Sequence, residues 1–106
     1  MTDQFPIILT GGSRVGKIHS SWPFSKLRIE KSQITLHASS GSYTFSNTDE
    51  IKITKHLHLL LRVPIGIEIK HTNPKYPLKV IFWYWRINRL NKFLSSAGFT
   101  NKIDLT

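Results

Sequence analysis

The sequence predicts a mainly β domain, a seven-stranded antiparallel barrel or sandwich capped by one C-terminal helix. Three observations lead there: seven segments between Phe24 and Tyr84 that alternate apolar and polar residues, turn formers between them, and an apolar stripe at helical spacing from about Arg86 to Ala97. A chain of 106 residues has room for one core, and at that size about two-thirds of the unfolded surface is buried on folding. Scaffolds of this kind mostly bind, so the pattern speaks to architecture before it speaks to ligand.

Residues 1–21 stand apart from the single domain expected over 22–106. Phe5 to Leu9 is apolar, and Gly11-Gly12-Ser13-Arg14-Val15-Gly16-Lys17 is rich in glycine with no clear period, so the segment is either an arm or an added strand. After Pro23 the period of two begins, with Leu27 and Ile29 opposed to Lys26, Arg28 and Glu30. Lys31-Ser32 is short enough for a hairpin turn, and Ile34, Leu36 and Ala38 resume the alternation against Gln33, Thr35 and His37. Tyr43 and Phe45 mark a third strand, Ser46-Asn47-Thr48-Asp49 a turn, and Ile51 and Ile53 a fourth strand. Leu57, Leu59, Leu61 and Val63 share one face of a fifth, which Pro64 ends, and Ile65, Ile67 and Ile69 form a sixth. Two prolines make Asn73-Pro74-Lys75-Tyr76-Pro77 a loop. Leu78, Val80, Phe82 and Tyr84 then define a seventh strand with Ile81, Trp83 and Trp85 on its reverse.

The helix is read from Ile87, Leu90, Leu94 and Ala97, which fall three and four apart, with Arg86, Arg89 and Lys92 elsewhere on the wheel. Gly98 stands where a left-handed cap ends a helix, and Phe99 follows where a hydrophobic contact closes it.

Charge is the compositional extreme. Fifteen Lys and Arg against six Asp and Glu give a formal net charge of +9, enough to attract nucleic acid, anionic lipid or acidic protein. The basic residues are spread along the chain, which equally fits strand faces that stay solvated and resist edge pairing. The absence of cysteine removes disulfides, thiolate zinc sites and thiol nucleophiles. No apolar run reaches the roughly 20 residues that span a bilayer as a helix. The expected location is cytoplasmic, and membrane-peripheral where the ligand is lipid.

Sharper motifs weaken on inspection. Gly11 to Lys17 has the glycine and lysine positions of a P-loop, but Ile18 stands where a magnesium-binding hydroxyl is needed and Ser20-Ser21-Trp22-Pro23 does not start a helix. His56 and His58 share a strand face about 7 Å apart, with no evident third ligand, so no metal is expected. Asp49 and Glu50 are adjacent, hence on opposite faces of an extended chain, which is poor geometry for acid–base catalysis. No enzyme and no cofactor is expected. Trp83, Trp85, Arg86 and Arg89 offer an aromatic and basic surface if they are not consumed by packing.

The order of seven short strands and a C-terminal helix resembles the pleckstrin-homology-like (PH-like) superfamily over roughly residues 22–99. The stretches His71 to Pro77, Val80-Ile81-Phe82-Trp83 and Ala97-Gly98-Phe99 are similar to small bacterial and GRAM-type domains of uncharacterised function within it. The resemblance implies two nearly orthogonal sheets with the helix over one open corner, and a module whose ligands are phosphoinositide headgroups, peptides or partner domains. It also directs attention to Lys26, Arg28 and Lys31, because lipid-binding members hold phosphates on and beside the first hairpin. The turn after Lys26-Leu27-Arg28 is shorter than the basic loop of a typical phosphoinositide clamp.

The preferred expectation is therefore a non-catalytic module for an anionic lipid surface or an acidic protein segment at Lys26, Arg28 and Lys31. The competing expectations are a small β-barrel that binds single-stranded nucleic acid through Trp83 and Trp85, and a structural protein–protein interaction domain.

Overall fold

Leu27 and Ile29 point into the core while Lys26 stays exposed, so the alternation in the sequence is realised as a strand with one buried face. The computed structural model describes residues 5–57 and 64–104. Its strands are β1 (Ile7–Val15), β2 (Ile18–Glu30), β3 (Gln33–Ala38), β4 (Gly41–Ser46), β5 (Ile51–Leu57), β6 (Pro64–His71), β7 (Val80–Trp83) and β8 (Ile103–Asp104). A helix α1 (Ile87–Ser96) and a short 3₁₀ turn at Thr100–Lys102 lie between β7 and β8.

The strands form one sheet in the order β4-β3-β2-β1-β7-β6-β5-β8. Neighbours from β4 through to β5 pair antiparallel, and β8 pairs parallel to β5 through Ile53 and Ile103. Leu9 and Val15 of β1, Leu27 and Ile29 of β2, Phe45 of β4, Ile53 of β5, Ile69 of β6 and Phe82 of β7 all belong to one hydrophobic cluster. A single sheet whose distant strands fill the same cluster has to curl around it. At Gly66 of β6 the curl brings the backbone of Phe82 and Trp83 so close that a β-carbon would collide with it.

Among the described residues eight strands replace the seven expected, for identifiable reasons. The inward positions of β1 are Leu9, Gly11, Ser13 and Val15. Two of these four are not apolar: the Phe82 ring fills the space beside Gly11, and the Ser13 hydroxyl bonds that of Ser25 at 2.7 Å. A strand with such an interior shows no hydrophobic period. Residues 7–21 thus lie in β1, the Gly16-Lys17 turn and the first part of β2. The two-residue β8 is too short to show any period, and its parallel pairing corrects the expectation of a wholly antiparallel sheet. Ile51–Leu57 is one strand where the sequence divides between a fourth and a fifth; the rest of that expected fifth strand, residues 58–63, lies outside the described residues. Leu78 precedes β7 and is exposed rather than inward-facing.

The helix packs against the core cluster, burying Ile87, Leu90 and Leu94 as the spacing predicts. It begins one residue later and ends one earlier than expected, with Arg86 and Ala97 as its flanking residues. Gly98 has φ +97°, its amide donates to the carbonyl of Ser95, and the amide of Phe99 donates to that of Leu94. This is a Schellman motif, completed by buried Phe99 and Leu94. The Ser32 amide and the Asn47 side chain donate to the carbonyls of Ala97 and Gly98, which anchors this end of α1 on two β turns.

The loop between β6 and β7 is held by His71, whose Nε2 donates to the Pro77 carbonyl at 2.7 Å while Nδ1 accepts from the Asn73 amide at 3.1 Å. Tyr76 in that loop meets the rings of Tyr43 and Phe45 edge-on. Its hydroxyl accepts from the Thr44 amide, and Asp49 accepts from the Ser46 amide.

Candidate binding cleft

The register of β1 against β2 slips where Gly11 pairs Ser25 and Ser13 pairs Ser20. Ser21-Trp22-Pro23-Phe24 is therefore set opposite Gly12 alone, and this surplus of chain bulges from the sheet. The bulge has no inward slot for its aromatics, and Trp22 and Phe24 are 71% and 74% exposed.

Next to the bulge, Trp83 pairs with Gly12 on one side and Gly66 on the other. Neither neighbour carries a side chain, so the indole lies in a trough of backbone. The His19 ring lies tilted beside it, centres 5.8 Å apart, and His56 stands beyond Gly66 in the same cross-strand row. Burial lowers the pKa of His56 below the ordinary histidine value, Glu68 raises it in part, and Lys79 and Arg14 lower it further.

After Trp83 the chain leaves the sheet and turns into α1. Trp85, on that turn, is 70% exposed, with the Arg86 guanidinium 4.8 Å from its ring centre. Arg89, one turn into the helix, lies over Phe93. The result is a cleft of about 610 Å³ walled by Trp22, Trp83, Tyr84, Trp85, Arg86 and Arg89, with Thr10, Gly12 and Ile65 completing the wall. All three tryptophans of the chain converge on it.

A second cleft of about 590 Å³ adjoins the first, sharing Trp85, Arg86 and Arg89 and adding Lys55 and the first residues of α1. The first turn of α1 has no acidic side chain and no side-chain cap, so the positive end of the helix adds to the field of the arginines. No Asp or Glu among the described residues lines either cleft. Among the described residues the ion pairs are Arg28–Glu30 and Lys52–Asp104, and neither Arg86 nor Arg89 meets a carboxylate.

Trp83, Trp85, Arg86 and Arg89 are thus brought together. The first-hairpin residues are not. Lys26 and Arg28 project from the outer face of β2, and Lys31 lies in the β2–β3 turn beside the C-terminal end of α1, about 15 Å along that helix from Arg86. Arg28 is engaged by Glu30 at 3.0 Å. Lys26 donates to Thr10 at 3.3 Å, and because Thr10 is a wall residue of the first cleft, Lys26 stands on its rim. Trp22 escapes sequence reasoning altogether. The signal that points to it is Trp22-Pro23-Phe24 itself, two large aromatics around a proline at a place where no alternation gives them a core position.

His58 lies outside the described residues. Among the described residues no group of three His, Asp or Glu is close enough to hold a metal ion, and no helix is long and apolar enough to cross a membrane. The Gly11–Lys17 stretch lies in β1 and its hairpin turn, not ahead of a helix. No protein-family model, curated protein or solved structure matches the chain.

Proposed function

We propose that this chain is a non-catalytic, PH-like binding module that takes an anionic ligand at the tryptophan and arginine cleft. The mainly β architecture with a C-terminal helix is compatible with the PH-like resemblance. The observation that carries the functional reading is the meeting of Trp22, Trp83 and Trp85 with two guanidiniums that have no carboxylate partner among the described residues. Ligand sites are mostly apolar recesses with a few placed polar groups, and volumes of about 300–1,000 Å³ are usual. Arg86 and Arg89 set the sign of the ligand and the indoles supply contact area. Lys26 contributes from the rim, while Arg28 and Lys31 belong to solvated surface.

The test is retention on immobilised heparin together with co-sedimentation on anionic vesicles. Wild type is compared with Arg86→Ala/Arg89→Ala and with Lys26→Ala/Arg28→Ala/Lys31→Ala. The arginine pair is expected to lose salt-resistant binding more completely than the triple variant. The reverse order would return the site to the first hairpin, and no binding by wild type to either anion would overturn the anionic reading.

A further inference from the structure

Resting on that anionic-ligand reading, we propose that the partner is single-stranded nucleic acid, seated as two consecutive nucleotides astride Trp85 with one base in each adjoining cleft.

The two clefts are alike in size and share three residues, Trp85, Arg86 and Arg89. These three form the partition between them, and Trp85 is 70% exposed. The Arg86 guanidinium lies over one side of the Trp85 ring, so a flat π-system can lie against the other, and every nucleobase has such a face. The first cleft offers two further indoles, with Trp83 half-buried in its glycine trough. The second offers the start of α1, the Lys55 ammonium and the side chains of Asn88 and Asn91, which donate and accept at base edges or sugar. Arg86 and Arg89 border both recesses, as a phosphate joining two nucleosides across the partition requires.

Charge and shape narrow the choice of partner. Lys55, Arg86 and Arg89 line the recesses and Lys26 stands on the rim of the first, with no acidic neighbour among the described residues of either wall, so a polyanion is favoured along the whole path. A membrane surface satisfies the charge but is locally flat and leaves paired recesses unfilled. An acidic peptide satisfies the charge but has no need of three convergent indoles. A single strand carries stacking faces joined by a phosphate, which suits two adjoining recesses that share two guanidiniums. Recognition by stacking tolerates any base, so little sequence preference is expected.

The experiment is a fluorescence anisotropy titration of the full chain with labelled oligothymidylate, repeated with duplex DNA of the same length, with polyglutamate as competitor and with anionic vesicles. Tight binding of the single strand is expected, with tryptophan quenching and a salt slope that falls by about 0.7 on loss of one phosphate contact in Arg86→Ala. Trp85→Ala and Trp22→Ala, both at exposed positions, should weaken binding about tenfold to a hundredfold, while Phe24→Ala, exposed but outside the clefts, should not. Equal affinity for duplex, or a Trp85→Ala chain that binds as wild type does, would overturn the stacked geometry. Failure to bind the single strand, with arginine-dependent retention on heparin or vesicles intact, would overturn the nucleic-acid assignment alone. Absence of binding to every anion would overturn both it and the reading on which it rests.

Discussion

Trp83 and Gly12 compete for one volume: the indole Cε3 lies 2.9 Å from the point where a β-carbon on Gly12 would sit. The Ser20 carbonyl oxygen is equally near that point, and the Trp22 amide follows at 3.3 Å. The cleft wall therefore depends on a missing methyl group.

Gly12→Ala is expected to lower stability by about 1–3 kcal/mol through overpacking and to shift tryptophan emission as the indole leaves its trough. Urea unfolding followed by fluorescence reads both. A variant with unchanged midpoint and spectrum would show that the indole rests elsewhere.

The Ser13 and Ser25 hydroxyls, 2.7 Å apart and both buried, form a polar pair in the curl between β1 and β2. Ser13→Ala leaves the Ser25 hydroxyl buried without that partner, a loss expected at about 1–3 kcal/mol. Ser13→Ala/Ser25→Ala removes both groups and should cost clearly less than the two single changes added. A double-mutant cycle in urea decides the point, and simple additivity would mean that the two hydroxyls are not coupled.

Acid should weaken the fold through His56. In the unfolded chain this ring takes up a proton near its ordinary value, whereas in the folded chain burial holds its pKa lower. Between the two values the unfolded state binds more protons, so stability is full above the unfolded pKa and declines as pH falls from there through the folded one. His56→Gln should accordingly lose less of its urea midpoint than wild type between pH 7.5 and pH 5.5. Equal losses would remove His56 from the acid response.

What could be read from the chain before its structure follows from how each element is stabilised. β2, β3, β4 and α1 place large apolar groups on one face, so Leu27, Ile29, Ile34, Leu36, Phe45, Leu90 and Leu94 announce them. Gly98 and Phe99 announce the helix end because the Schellman motif needs those residue types. β1 is silent because its interior is built by a neighbour's ring and a hydroxyl pair. The cleft was half legible: Trp83, Trp85, Arg86 and Arg89 are close in sequence and stay close in space. Trp22 joins them only through pairing register and a bulge, which local periodicity does not encode. The expectation of phosphate contacts at Lys26, Arg28 and Lys31 came from the resemblance, and a strand alternation cannot say that Glu30 engages Arg28 or that Lys31 sits at the far end of the helix.

The Tyr76 hydroxyl that takes the Thr44 amide has a consequence beyond the fold of one molecule. β4 is a terminal strand of the sheet, and a terminal strand is where copies of a protein begin to polymerise. With the amides of Thr44 and Ser46 already engaged by Tyr76 and Asp49, an incoming strand must displace both acceptors before it can bond those two amides. That part of the edge is thereby a poorer template for fibres, and the loop that carries Tyr76 works as a guard as well as a connection.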